Sequence, residues 1–118
     1  MIELNERIEY IKMAEKFYRE FLSVRMNLYV IDKLTNILRN TGRWDEASFW
    51  TIKACNLFPN YYAGWVNLGA YEIESKRFET AKMFLERALK IKPDYKEAQQ
   101  NLRMIKEYEL AKKQGRTK

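Results

Sequence analysis

Three groups of side chains in this sequence have the makings of reactive sites: the lone cysteine, Cys55, and two close carboxylate pairs, Asp45 with Glu46 and Glu72 with Glu74. An ionised thiol is a nucleophile, and two carboxyl groups whose environments differ can divide acid and base roles between them. The carboxylate pairs fail on spacing, because side chains one or two apart on a helix point in different directions. Cys55 needs a nearby cation to lower its pKa, and the sequence implies none. The chain has no histidine, the commonest general base and metal ligand, and no glycine-rich loop that would cradle a phosphate. The sequence therefore predicts no enzyme, no catalytic residue, no cofactor and no metal.

The elements that would hold any other site are helical. Hydrophobic residues make up 47% of the 118 and charged residues 32%, with 4 glycines and 2 prolines, a folded and helix-leaning balance. That length predicts a single domain with a thin core. One cysteine excludes an internal disulfide framework and fits a reducing, cytoplasmic setting. The opening MIELNERIEYIK is too charged for a signal peptide, and no run approaches the roughly 18 to 20 apolar residues that cross a bilayer.

Sliding the sequence against itself by 34 residues places Leu34 on Leu68, Trp44 on Phe78, Ala47 on Ala81, Ala54 on Ala88, Leu57 on Ile91 and Pro59 on Pro93. Two copies follow, 28–61 and 62–95, each reading as a helix pair. In the second, Trp65, Leu68, Gly69 and Glu72 share one helical face, and Ala81, Leu85, Ala88 and Leu89 share another. The segments NTGRW and SKRF supply the turns, with Gly42 offering the positive φ that ends a helix cheaply and Lys76 in the corresponding place. Pro59 and Pro93 stop the second helices, since proline lacks the amide proton and clashes with the turn before it.

The run W-x2-L-G from Trp65 to Gly69, followed by Phe78, Ala81, Ala88 and Pro93 at this period, resembles the tetratricopeptide repeat. The resemblance implies an all-α, right-handed solenoid of antiparallel helix pairs. In that family the glycine lets an aromatic ring of the paired helix approach the backbone, with Ala81 and Ala88 as sockets from the other side. The first copy departs from the pattern, with Ile31 in place of Trp65 and Thr35 in place of Gly69. Residues 96–113 read as a capping helix with the stripe Ala98, Leu102 and Ile105. Residues 1–27 read as a degenerate half-repeat: a helix over 6–25, begun by Asn5, whose end FLSVRMN matches ACNLFPN at an offset of 33. The expected total is about six helices, with a basic tail at 114–118. Cys55 aligns with Leu89 on an inward stripe, so a buried thiol is expected.

Function then rests on surfaces. The resemblance implies a concave groove, lined by first helices, that receives a peptide or helix of a protein partner. Projected here, the lining is Tyr29, Asp32, Asn36, Arg39 and Asn40, then Ala63, Val66, Asn67, Ala70, Ile73 and Glu74, then Glu97, Gln100, Asn101 and Met104. The central helix touches neighbours on both sides, so Val66, Ala70 and Ile73 are read either as groove floor or as core. One subgroup clamps a terminal carboxylate with two asparagines and several cations. Asn36 and Asn67 match the asparagines, but Asp32, Glu97 and Asn101 stand where cations belong, which argues against a clamp.

Phe49, Trp50, Ile52 and Met83 make a second candidate, an outer apolar patch for self-association into a homo-oligomer or for a partner. Of the net charge of +6, +4 lies in residues 96–118, which raises weak electrostatic binding of nucleic acid. Cations also suit a helix C-terminus for ordinary electrostatic reasons, and no aromatic residues interleave with these as a single-strand binder requires.

Overall fold

Several helix boundaries in this chain are set by local signals. The computed structural model describes residues 3–115, and among them α1 spans Leu4–Val24, α2 Leu28–Asn40, α3 Trp44–Leu57, α4 Tyr62–Glu74, α5 Phe78–Ile91 and α6 Lys96–Lys113. The six expected helices are present. Arg116, Thr117 and Lys118, the end of the basic tail, lie outside the described residues, as do Met1 and Ile2. None of the helices is long and apolar enough to cross a membrane.

Two of the boundaries are built alike, 34 residues apart. After α2, Thr41 caps the helix, Gly42 turns left-handed at φ 78°, and the Arg43 amide donates to the Leu38 carbonyl at 2.8 Å. After α4, Ser75 caps, Lys76 turns left-handed at φ 62°, and the Arg77 amide donates to the Glu72 carbonyl at 2.8 Å. Both are six-to-one closures of the kind that end helices, and the glycine at one is a lysine at the other. The α2 start is equally local: the Asn27 side chain accepts from the Val30 amide at 3.1 Å. The sequence placed such a cap at Asn5, but α1 begins two residues earlier, from Glu3, with no side-chain cap, and Asn5 lies inside the helix.

The chain divides into two compact units, 1–54 and 55–118, with the division inside the last part of α3. In the first unit α1 packs on α2. Its interior holds Leu22, Ile31, Leu34, Leu38, Ala47 and Ala54. Two buried hydroxyls satisfy themselves on their own helices: Thr35 donates to the Asp32 carbonyl at 3.0 Å and Thr51 to the Ala47 carbonyl at 2.8 Å. Thr35 is thus buried where the repeat's other copy has Gly69.

An ion network holds α1 to the α2–α3 turn. Arg43 grips the Glu15 carboxylate with two donors at 2.6 and 2.8 Å, and Arg19 bridges Glu15 at 2.7 Å to Glu46 at 2.5 Å. The Arg43 hydrogen bond, then that of Arg19, hold the Glu15 carboxyl down to about 2 against the opposing pull of burial.

In the second unit α4 packs on α5, α5 on α6, and α4 touches α6. Val66, Ala81, Leu85, Ala88, Ala98 and Ile105 form the core, with Trp65, Ile73, Phe78 and Leu102 packed against it. The alanines sit fully buried at the places the repeat predicted, Ala81 and Ala88 here and Ala47 and Ala54 in the first unit. At Gly69 the outcome differs from the expected aromatic: a Cβ there would lie 2.9 Å from both Cγ and Cδ2 of Leu85 and 3.5 Å from the Ala81 carbonyl oxygen. The glycine makes room for a leucine. Gly64 is closed off in the same way by the ring of Tyr61 and by Cys55 Sγ, 2.8 Å from where a Cβ would stand.

Candidate partner-binding surface

The first-helix positions divide between the two units. In the first unit, α2 turns Tyr29, Asp32 and Asn36 to solvent and leaves Arg39 half-buried. Lys33 lies over the Tyr29 ring at 5.1 Å, and Arg39 donates to the Asn36 side chain at 3.4 Å. In the second unit, α4 leaves Ala63, Asn67, Ala70 and Ile73 half-buried while α6 exposes Gln100 and Met104.

Val66 has no place on that surface. It is 1% exposed and belongs to the core with Leu85 and Ile105. The reason is its position on the middle helix: α4 lies against both α5 and α6, and the turn that carries Val66 points between them. Ile73 also packs against this core, but keeps part of its surface outside. Of the apolar strip read from the sequence, Ala70 and Ile73 therefore retain accessible area.

Short-range contacts fix the two ends of α4. The Glu72 carboxylate accepts two hydrogen bonds from Arg77, at 2.6 and 2.9 Å, which hold its pKa below the ordinary carboxylate value. Tyr62 meets Tyr95 edge-on at 4.9 Å, which ties the start of α4 to the residue that precedes α6. Tyr95 donates to Glu97 at 3.3 Å, and burial followed by the nearby Glu97 charge pushes its phenol up.

Phe49 is 58% and Ile52 46% exposed on α3, with Trp50 half-buried. Phe49 and Trp50 meet edge-on at 5.7 Å, and Lys53 lies over both rings. On α5 of the second unit, Met83 is 67% exposed. Cys55 is buried as expected, and that burial pushes its thiol up to about 12 in spite of the Arg87 charge, so it holds no thiolate at neutral pH.

Sequence reasoning passed over the first half of α1, where every residue from 3 to 13 is exposed. Leu4, Ile8 and Ile11 form one uncovered apolar row there, and Tyr10 and Met13 begin another that runs on to Phe17. Both rows stand at helical spacing in the sequence and were legible by that signal.

Comparison with known proteins agrees with the geometry. Residues 62–95 match the family model for the tetratricopeptide repeat. Tetratricopeptide repeat protein 17 of Danio rerio is 30% identical over 83 residues, 70% of this chain, and its Homo sapiens counterpart is 27% identical over 84 residues. The chain spans 7% of the length of these relatives. Among solved structures, that of YrrB, described as a TPR protein with an unusual peptide-binding site, superposes with a TM-score of 0.68 at 21% identity, over 80% of this chain and 49% of that one.

Proposed function

Since the chain belongs to the tetratricopeptide-repeat proteins, we propose that it is a non-catalytic interaction module whose second unit takes a peptide or helix of a protein partner across α4 and α6. The observation that carries the reading is the make-up of that surface: small and apolar residues on α4, Ala63, Ala70 and Ile73, beside the exposed Met104 and Gln100 on α6. Methionine adapts its shape to an apolar partner, and Asn67 and Gln100 supply donors and acceptors for a peptide backbone. Rigid helices hold these groups before a ligand arrives, which spares much of the ordering cost of binding. That a protein of the same fold carries a peptide-binding site supports the reading. Tyr29, Asp32, Asn36 and Arg39 are the first unit's counterpart.

Selection of peptides from a displayed random library, followed by mapping of amide chemical shifts, tests this. Selected peptides should shift residues of α4 and α6, and Ala70→Glu with Met104→Glu should weaken them about tenfold or more while leaving the helix content unchanged. Unchanged affinity in that double variant would refute the assignment. Self-association is a second reading, favoured by the exposure of Phe49 and Ile52 on the outer side of α3. It predicts a concentration-dependent mass in light scattering that Phe49→Glu abolishes.

A further inference from the structure

An open pocket of about 690 Å³ lies in the second unit, walled by Asn60 in the turn after α3, by Tyr62 at the start of α4, and by Arg87, Lys90, Ile91 and Lys92 at the end of α5. It carries three cations and no acidic side chain. Two other cations of this unit meet carboxylates: Arg77 pairs with Glu72, and Lys82 with Glu79 and Glu109. Among the described residues, Arg87, Lys90 and Lys92 form no ion pair. Lysines in a last helical turn suit the helix dipole, which accounts for Lys90 but not for how the other two are held.

Aromatic rings prop those two. The Arg87 guanidinium lies over the Trp65 ring at 4.7 Å and Lys92 over the Tyr62 ring at 5.1 Å. The rings are themselves fixed. The Trp65 indole N–H donates to the Pro59 carbonyl at 2.9 Å and its ring stacks with Phe84 at 6.0 Å, while Tyr62 leans on Tyr95. Two long, flexible side chains are thus held with their charges gathered at one opening. Like charges in a preset array repel one another until an anion arrives, and an anion that enters meets donors already in place.

We propose that this pocket binds carboxylate side chains of an acidic protein segment, at a place separate from the α4–α6 surface and independent of it. An acidic peptide suits it better than a nucleic acid. Base stacking needs a free aromatic face, whereas Trp65 is engaged by Phe84 and Arg87 and Tyr62 by Tyr95 and Lys92. Ile91 and the uncharged edge of Tyr62 leave room for an apolar side chain beside the carboxylates.

The test is fluorescence anisotropy with a labelled peptide of glutamate and leucine, the same peptide with glutamine for glutamate, a thymidine oligonucleotide, and phosphatidylserine vesicles. The glutamate peptide should bind and the glutamine peptide should not. Lys90→Gln with Lys92→Gln should weaken binding about tenfold, while Lys112→Gln with Lys113→Gln, which removes the same charge from the end of α6, should leave it within about twofold. Amide shifts on binding should cluster at 59–62 and 87–92 rather than at Ala70 and Met104. Equal losses in the two double variants, or shifts that gather around Ala70 and Met104, would overturn the proposal. So would no discrimination between the peptides, or tighter binding of the oligonucleotide or the vesicles through the same lysines.

Discussion

Adding one methyl group at Gly69 sets two effects of known size against each other. Alanine is better than glycine in a helix interior by about 1 kcal/mol, so on local grounds Gly69→Ala stabilises α4. The packing opposes it. The new Cβ would stand 2.9 Å from two carbons of Leu85, where carbon atoms rest at about 3.5 to 4.0 Å. Leu85 is fully buried in the core and has nowhere to turn, so a shift of α4 against α5 must absorb the overlap. Inserting a methyl into a well-packed core costs about 1 to 3 kcal/mol. The crowding wins, with a net loss of about 1 kcal/mol and a fall in melting temperature of about 4 °C.

Urea denaturation read by far-ultraviolet circular dichroism measures this directly, and a double-mutant cycle isolates the cause. In a Leu85→Ala background, itself destabilised by about 2 to 5 kcal/mol and studied with a stabilising osmolyte, the overlap is gone. Gly69→Ala should then stabilise by about 1 kcal/mol, which makes the coupling about 2 kcal/mol. If Gly69→Ala stabilises both backgrounds equally, Leu85 is not what requires the glycine.

Two further outcomes follow from features of single residues. Lys76 holds a left-handed φ of 62°, which a side chain with a Cβ adopts at a cost, so Lys76→Gly should stabilise the chain by about 1 kcal/mol in the same denaturation assay. Glu15 is held down to about 2 by Arg43 and Arg19, so the stability it contributes is present above the ordinary carboxylate value of about 4.3 and is lost as the pH falls from there towards 2. Melting temperatures measured between pH 7 and pH 2 should therefore drop across that window, and by less in Glu15→Gln, which starts lower at pH 7.

The repeat was readable because it is written in residues with little freedom. Ala47, Ala54, Ala81 and Ala88 are small where helices cross, Pro59 and Pro93 cannot continue a helix, and Gly42 turns left-handed; each does in the fold what its chemistry allowed in the sequence. Less was readable where the outcome depends on which neighbour arrives. Val66 and Ala70 lie four residues apart on α4, and periodicity alone cannot say that the turn of Val66 is enclosed while that of Ala70 stays half-open. Gly69 announced a close approach, but its visitor, Leu85, was set by tertiary packing. Asn5 had the chemistry of a cap, yet α1 begins from Glu3; a capping bond is worth only about 1 kcal/mol, too little to fix a boundary by itself. Nothing in the sequence pairs Arg87 with Trp65 or Lys92 with Tyr62; the fold sets each ring beneath its cation.

The uncovered first half of α1 gives this protein a temperature response that its packed helices do not share. Beyond Met13 the helix is already nucleated by the packed turns, so each earlier residue joins or leaves it at a propagation constant near one. Ordered length at that end should shrink gradually on warming, as a zipper opens from its loose end. The mean residue ellipticity should slope well before the cooperative melt, and amide protons of residues 3–13 should exchange with solvent at nearly the rate of a free peptide.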